Sequence, residues 1–337
     1  MIFLRNDYSS GCHPKVLEAL TVTNMENTEG YGLDPYCAKA AQDIKDIIDC
    51  QNVDVHFLMA GTQTNLTALA SVLRPHEAII APYTGHICCH EAGAIEATGH
   101  KIIHVPSKDG KLTSADIEAV MEEHCDAHYV KPRLIFISNL TETGIIYSKS
   151  ELLELRKTCD KHNLLIYMDG ARLAMALTQK DNDLDITDIP KIVDMFYIGG
   201  TKCGIMFGEA LVIVNDALKV DTRCLMKQRG AVLAKGRLLG VQFSEIFKDN
   251  LYFKLGKHAN QLAYKLAEGI KAKGYKFENQ PCSNLVFPIF PDSLIAELEK
   301  KVMMEPNFSN HDGTSSVRLV TSWSSTEDDV NSFLELI

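Results

Sequence analysis

The most constraining stretch of this sequence spans residues 164–202. It contains two apolar runs, at 164–168 and 195–198, and each has the length of a buried β-strand and stops abruptly at polar residues. The first run ends at Asp169, and the second is followed by two glycines, a threonine and Lys202. Because ligands bind beyond the carboxyl ends of parallel strands in an open α/β sheet, we expect Asp169 and Lys202 to share one site.

These two strand ends supply the groups that pyridoxal phosphate (PLP) chemistry requires. A lysine amine forms a Schiff base with the aldehyde of this cofactor. A carboxylate keeps the pyridine nitrogen protonated, so that the ring accepts electrons from the α-carbon of the substrate. Lys202 is approachable because two glycines, Gly199 and Gly200, precede it. The simpler interpretation of the same pattern is a helix-capping aspartate and a solvated loop lysine.

Two motifs carry a resemblance to a known family. Residues 168–172, Met-Asp-Gly-Ala-Arg, and residues 200–202, Gly-Thr-Lys, resemble the cofactor motifs of the threonine aldolase and β-eliminating lyase family of fold type I PLP enzymes. The resemblance covers nearly the whole chain. It implies that PLP is bound to Lys202, with Asp169 at the pyridine nitrogen and Arg172 at the 3-oxygen of the ring.

Composition narrows the possible partners and surroundings of the protein. The chain has 337 residues, 46% of them hydrophobic, which allows one large domain and a smaller one. A net charge of −10 argues against nucleic acid or an anionic membrane as a partner. No apolar stretch approaches the roughly 20 residues of a membrane span, and the N-terminus lacks a secretory pattern. Ten scattered cysteines then indicate reduced thiols and a cytoplasmic protein.

A possible anion-binding turn follows the strand candidate at 55–59. Gly61 and Thr62 form a tight turn that leads into an apolar helix, and the first backbone N–H groups of a helix bind anions readily. Many turns of this kind serve only to cap a helix. The family resemblance implies that Gly61 and Thr62 bind the phosphate of PLP.

The segment around His86 allows two interpretations. His86 and His90 lie four residues apart, with two cysteines and Glu91 close by, and this could suggest a metal site. We expect no metal, because the segment lacks both a His-Glu-x-x-His pattern and a paired Cys-x-x-Cys pattern. The resemblance implies instead that His86 lies flat on the PLP ring, while His90 packs or faces solvent.

The resemblance also implies a set of substrate-binding residues. Arg318 pairs with the α-carboxylate of the substrate, a bidentate geometry that lysine reproduces poorly. Asn6 stands in the N-terminal arm where the family has a serine. His128 lies near the substrate hydroxyl, so His86, His128 or a water between them is the expected base. Two further residues, Asn139 and Glu142, are secondary candidates, because this segment departs from the common pattern of the family.

Two segments point to an oligomer. Tyr31 lies between two glycines in a turn-rich loop, and Lys227 and Arg229 lie in a basic run within an acidic chain. Without the resemblance, Tyr31 could simply anchor its loop, and Lys227 and Arg229 could lie on a solvated helix face. The resemblance implies that both segments serve the site of a neighbouring subunit, with Tyr31 at the substrate pocket and Lys227 or Arg229 at the phosphate. We therefore expect a homodimer or a homotetramer.

The pattern of apolar runs predicts an α/β fold of the fold type I class. Only about a dozen residues separate the last two strand candidates, which is too few for a helical crossover, so these strands should be antiparallel. We expect a mostly parallel seven-stranded sheet flanked by helices. The domain prediction is an arm over residues 1–12, a large PLP-binding α/β domain over 13–245 and a small α+β domain over 246–337. The strand candidates are 55–59, 78–81, 102–105, 134–137, 164–168, 195–198 and 209–214.

The sequence and the resemblance together predict a PLP-dependent lyase. The expected reaction is retro-aldol cleavage of a β-hydroxy-α-amino acid, such as L-threonine or L-allo-threonine, to glycine and an aldehyde. Two alternatives remain. One is another PLP reaction on an amino acid, as in an aminotransferase or a β-eliminating lyase, and the other is a non-enzymatic role on the same fold.

Overall fold

The computed structural model describes all residues from 1 to 337. Its strands are β1 Ile2–Phe3, β2 Asp54–Leu58, β3 Glu77–Pro82, β4 Lys101–Val105, β5 Lys131–Ser138, β6 Leu165–Asp169, β7 Met195–Gly199, β8 Glu209–Ile213, β9 Lys276–Phe277, β10 Leu285–Val286, β11 Pro288–Pro291, β12 Val302–Met303, β13 Glu305–Ser309 and β14 Thr314–Val320. Its α-helices are α1 Pro14–Val22, α2 Pro35–Ile47, α3 Gly61–Val72, α4 His86–Cys89, α5 Ser114–Glu123, α6 Lys149–His162, α7 Leu173–Leu177, α8 Ile189–Ile192, α9 Thr222–Gln228, α10 Arg237–Phe247, α11 Leu251–Ala272, α12 Asp292–Leu298 and α13 Glu327–Leu336. None of these helices combines the length and the apolar composition that crossing a bilayer needs.

A seven-stranded sheet forms the centre of the molecule, with the strand order β2-β8-β7-β6-β5-β3-β4. β8 pairs antiparallel with both β7 and β2, while the pairs among β4, β3, β5, β6 and β7 are parallel. The predicted fold, with one antiparallel strand beside the last parallel one, is therefore confirmed. The largest shift of a boundary is at β5, which begins three residues before the predicted 134, because the polar residues from Lys131 onward still pair with β3.

Two apolar cores cover the two faces of this sheet. Neighbouring residues along a strand belong to different cores: Ile80 and Ile135 pack into one, and Ile79 and Phe136 pack into the other. This alternation follows from the two-residue period of a strand. It explains why the strands look like continuous apolar runs in the sequence, since helices bury both faces of a parallel sheet.

Helix ends in the large sheet region follow the local sequence. Ser148 caps α6 by accepting a hydrogen bond from the Glu151 N–H, and the Glu151 side chain accepts one from the Ser148 N–H. Asn163 ends the helix in the left-handed conformation, which asparagine tolerates well. The chain therefore turns directly from α6 into β6, the strand that carries Asp169.

The C-terminal part of the chain builds a second sheet of five strands. β14 pairs with β10, β11 and β13, and β9 extends the sheet from β11. α11 and α13 pack against this sheet and share a separate apolar core with it. The N-terminal arm joins the same region, because β1 pairs with β12 and Leu4 is buried in that core. The sequence did not predict β1, β12 and β13, since two of them are only two residues long and the third is mostly exposed.

The ends of β6 and β7 approach each other so closely that only glycine fits. A Cβ atom on Gly170 would lie 1.9 Å from the carbonyl oxygen of Tyr197, and one on Gly199 would lie 2.4 Å from that of Ala171. The Gly199 N–H donates a hydrogen bond to the Gly170 carbonyl across this contact. The backbone at both ends is fixed as a result, and this fixes the starting points of Asp169 and of the loop that carries Lys202.

We predict that Gly170→Ala destabilises the protein by about 3 kcal/mol or more, because the added methyl group overlaps a backbone oxygen that cannot rotate away. Chemical denaturation of the variant and the wild type measures the difference. Gly11→Ala is the control, since a Cβ atom there meets nothing within 4 Å. Equal stabilities for Gly170→Ala and the control would contradict the close approach of the two strands.

Candidate active site

A cavity of about 810 Å³ opens beyond the carboxyl ends of the parallel strands. Asp169 ends β6, and Ser138 at the end of β5 lies directly beside it in the sheet register. Four of the predicted site residues line this cavity: His86, Arg172, Lys202 and Arg318. The structure therefore brings together residues that lie far apart along the chain.

Asp169 is buried beneath this cavity and is held by three hydrogen bonds. Oδ1 accepts from the Tyr197 hydroxyl at 2.6 Å and from the Ala171 N–H at 2.9 Å, and Oδ2 accepts from Asn65 Nδ2 at 3.1 Å. The Tyr167 hydroxyl donates to Asn65 Oδ1 and fixes the orientation of that amide. The carboxylate thus has a fixed direction. Asn65, Tyr167 and Tyr197 were not predicted, because only tertiary contacts bring them to Asp169.

His86 belongs to the same hydrogen-bond network. Its Nδ1 lies 2.7 Å from Glu91 Oε1, which also accepts from Asn65 Nδ2. Asn65 therefore connects the His86 imidazole to the Asp169 carboxylate. The two neighbouring cysteines donate to backbone carbonyls, and no group of three or more His, Cys, Asp or Glu side chains is placed to hold a metal ion.

The arm contributes Asp7 rather than the predicted Asn6. Arg172 Nε and NH2 donate to the two oxygens of Asp7 at 2.7 and 3.1 Å, and Asn284 Nδ2 adds a bond at 3.0 Å. Burial pushes the pKa of Asp7 upward, but Arg172 and Lys202 outweigh it, so the pKa lies below its ordinary value. Asn6 only closes a local turn by accepting from the Tyr8 N–H and the Ser9 hydroxyl. Within one chain, Asp7 rather than Asn6 is therefore the arm residue bound to Arg172, and a contact of Asn6 with the substrate stays a prediction.

Lys202 lies in a glycine-rich turn between β7 and β8. Burial lowers the pKa of its amine, and the positive charge of Arg172 acts in the same direction. A larger neutral fraction makes a lysine a better nucleophile toward an aldehyde. Glu209 supports this turn by accepting from the Gly200 N–H at 2.9 Å, and burial raises the pKa of Glu209 to about 7.

The N-terminus of α3 lies beside the same cluster. A Cβ atom on Gly61 would lie 3.5 Å from the Tyr197 hydroxyl, which bonds Asp169. No side chain caps this helix, so the N–H groups of its first turn, including those of Gly61 and Thr62, lack a capping acceptor. A phosphate group would satisfy these donors and would also be stabilised by the helix dipole.

Arg318, on β14 of the second sheet, faces the cavity from the opposite side. Its Nε is buried and has no hydrogen-bond partner. Burial and the nearby Arg172 lower the pKa of the guanidinium, so an anionic partner would be stabilised here. The free donor fits a carboxylate. The cavity region therefore combines four kinds of group: the Arg318 guanidinium, the Lys202 amine, the Asp169 carboxylate and the uncapped N–H groups of α3. These fit the carboxylate of an amino acid and the aldehyde, pyridine nitrogen and phosphate of PLP.

His128 lies far from this cluster. It is exposed and precedes β5, whereas the cavity opens beyond the other end of that strand, roughly 25 Å away at about 3.3 Å per residue. Its N–H donates to Asp126 Oδ1 in a local turn. Within one chain, His128 therefore does not line the cavity of Lys202, and its contact with the substrate hydroxyl stays a prediction. Instead Glu142, which follows the correct end of β5, lines the cavity.

Tyr31, Lys227 and Arg229 also lie outside the cavity of Lys202. The Lys227 ammonium lies 4.4 Å from the centre of the Tyr31 ring, and Arg223 donates to the Tyr31 carbonyl. The two predicted partner segments therefore pack against each other in one chain. Tyr31 and Lys227 are exposed, and Tyr31 also lines a smaller cavity of about 290 Å³.

Asn139 is buried, and its Oδ1 accepts a hydrogen bond from the Tyr147 N–H, so it supports the loop that follows β5.

Comparison with known proteins places this geometry in a family. A family model described as beta-eliminating lyase matches residues 4–292. The chain belongs to the beta-eliminating lyase family. Its threonine aldolase-type relatives include a solved threonine aldolase of Leishmania major, which is 49% identical, superposes with a TM-score of 0.99, and is matched over 100% of this chain and 98% of that one.

Two further comparisons concern a curated relative and a solved structure. A low specificity L-threonine aldolase of a Pseudomonas species is 28% identical over 96% of this chain and 93% of its own length. A structure of SPT with PLP matches with a TM-score of 0.73 at 15% identity, over 99% of this chain and 85% of that one. At this low identity the second match shows the fold type I architecture alone.

We predict that Asp7→Asn destabilises the cofactor-free protein by roughly 3 kcal/mol at pH 7, because it leaves the buried Arg172 without a counter-charge. The folded-state pKa of Asp7 is depressed, so the stability it contributes is present above about pH 4 and is lost as the pH falls further. Urea denaturation at pH 7 and near pH 3 should therefore show a large difference that shrinks in acid. Asp43→Asn is the control, since Asp43 forms an exposed pair with Lys39. A deficit that stays constant with pH would contradict the ion pair.

Proposed function

We propose that this protein is a PLP-dependent carbon–carbon lyase that cleaves L-threonine or L-allo-threonine to glycine and acetaldehyde. The observation that carries this proposal is the single cavity that Lys202, Arg172 and Arg318 line together, at the strand ends where Asp169 is buried. The relatives that cover nearly the whole chain are named threonine aldolases, which supports the same reaction. Other reactions on an amino acid would use many of the same groups and are distinguished by the products.

The residues of the chain divide the binding of PLP between them. Lys202 would hold the cofactor aldehyde, and Asp169 would accept a hydrogen bond from the protonated pyridine nitrogen. The first turn of α3, at Gly61 and Thr62, would hold the phosphate. His86, fixed by Glu91, would cover one face of the ring. When bound, PLP supplies an electron sink for the pair that the broken Cα–Cβ bond leaves behind.

The substrate would be oriented by its carboxylate. Arg318 has a buried, unpaired Nε in the cavity, and a guanidinium binds a carboxylate through two parallel hydrogen bonds. Arg172 is already bound to Asp7 through Nε and one terminal nitrogen. This difference favours Arg318 as the carboxylate-binding residue, and Arg172 would contact the 3-oxygen of the ring.

The assembly we propose is a homodimer, or a homotetramer built from such dimers. Tyr31, Lys227 and Arg229 form one surface segment. Within one chain, none of them lines the cavity of Lys202. A two-fold interface would let this segment complete the site of the partner subunit, with Tyr31 near the substrate and a basic residue near the phosphate. We also propose domain boundaries near residues 12 and 245. We further propose a cytoplasmic location.

The first test is direct. Purified protein supplied with PLP and L-threonine should form glycine and acetaldehyde in equal amounts, followed by proton NMR. Lys202→Ala should form neither, because no other amine replaces Lys202 at the cofactor aldehyde. After borohydride reduction, mass spectrometry should find the cofactor attached to the Lys202 peptide in the wild type. Attachment to another lysine, or a keto acid as the product, would contradict the proposed role or the proposed reaction, respectively.

The second test addresses the shared site. Lys202→Ala and Tyr31→Ala should each be inactive, but mixed dimers would carry both defects in one site and leave the other site intact. After statistical subunit exchange, activity should recover to about a quarter of the wild-type value. Exchange is verified with a mass-tagged subunit. No recovery despite verified exchange, or full activity at a monomeric mass, would contradict a shared site.

A further inference from the structure

Glu142 is a cavity-lining carboxyl group with one oxygen bound and one free. Oε1 accepts from the Ser138 hydroxyl at 2.9 Å and from the His86 N–H at 3.1 Å. Oε2 is buried and has no hydrogen-bond partner. The side chain lines the same cavity as Lys202 and Arg318. Two donors therefore fix the carboxyl group, while the second oxygen has no donor within the chain.

The surroundings of Glu142 suit a proton acceptor. Burial raises the pKa of this carboxyl group above its ordinary value, and the negative charge of Asp169 adds to the increase. The Ser138 hydroxyl and the charge of His86 act in the opposite direction. A carboxylate whose pKa lies closer to neutral accepts protons better than an ordinary surface glutamate.

The proposed reaction needs such a group, and the two histidines predicted as the base are engaged or distant. Cleavage requires the β-hydroxyl of the substrate to lose its proton as the Cα–Cβ bond breaks. His86 is bound through Nδ1 to Glu91 and covers the ring in the proposed arrangement. His128 lies at the opposite end of β5. Glu142 is at the correct end of that strand, in the cavity itself.

We propose that Glu142 is the catalytic base that takes the proton from the β-hydroxyl of the substrate, an inference that rests on the proposed threonine cleavage. The proton passes from the hydroxyl oxygen to Oε2 of Glu142. The O–H electron pair becomes the second bond of the aldehyde carbonyl, and the Cα–Cβ pair stays with the glycine fragment. One proton then adds to Cα, so glycine and the aldehyde together contain the atoms of the substrate.

A purely structural role for Glu142 would require only Oε1. That oxygen joins the end of β5 to the start of α4 through Ser138 and His86, and the oxygen of a glutamine amide accepts the same two bonds. Glu142→Gln therefore preserves the structural contacts and removes only the ability to take a proton. This makes the substitution a selective test.

Glu142→Gln should lower kcat for threonine cleavage by about 10²–10⁴-fold, the usual contribution of a positioned base. Exchange of the α-proton of glycine in D₂O, which involves no hydroxyl group, should stay within a few-fold of the wild-type rate. The absorbance of the bound cofactor and the glycine dissociation constant should also be unchanged. Glu278→Gln is the matched control, because Glu278 is an exposed carboxylate that lines the same cavity, and it should retain most of the cleavage activity.

The outcomes separate this inference from the proposed function. If the wild type does not cleave threonine, the proposed function fails. If the wild type cleaves threonine and Glu142→Gln cleaves it equally well, Glu142 is not the base, although the proposed function stands. If Glu142→Gln loses cleavage and glycine exchange to the same extent, or if Glu278→Gln loses as much, the loss is a general effect on the cavity, and the inference is overturned.

Discussion

The site depends on the contact between the ends of β6 and β7. Gly170 and Gly199 let two backbones approach to a distance at which any side chain would overlap a carbonyl group. This contact fixes Asp169 on one strand and the turn leading to Lys202 on the next. The position of the proposed cofactor-binding pair therefore follows from backbone packing, which explains why each member lies in a glycine-containing motif.

The charges around the cavity are balanced by buried partners. Arg172 is neutralised by Asp7 from the N-terminal arm, and this pair also connects the arm to the large sheet. Arg318 lacks such a partner at Nε, and we propose that it binds the substrate carboxylate. This difference between a paired and an unpaired arginine is the reason for proposing different roles for the two. A bound anionic substrate would remove the cost of a buried unpaired guanidinium donor.

The central sheet was predictable because its strands are buried on both faces and form apolar runs of the right length. Asp169 and Lys202 were predictable because polar residues directly follow those runs. Asn65 and Tyr197 were not, since their contacts with Asp169 span 104 and 28 residues and leave no local pattern. The two-residue strands β1 and β12 are too short to produce a periodic signal.

The position of His128 relative to the cavity was harder to predict. His128 precedes β5, whereas the cavity opens beyond the carboxyl end of that strand. The rule that selected Asp169, a polar residue just beyond a carboxyl strand end, also selects Glu142, since it follows Ser138 by four residues. Glu142 was accordingly a secondary candidate from the sequence, and the structure places it in the cavity.

The central claim is that Asp169 and Lys202 hold the two ends of one PLP ring system at the edge of the sheet. A crystal structure of the protein loaded with PLP tests it most directly. We expect density for the cofactor joined to Lys202 Nζ, with its pyridine nitrogen within hydrogen-bond distance of an Asp169 oxygen and its phosphate at the first turn of α3. Cofactor density joined to another lysine, or a pyridine nitrogen that faces away from Asp169, would contradict the account.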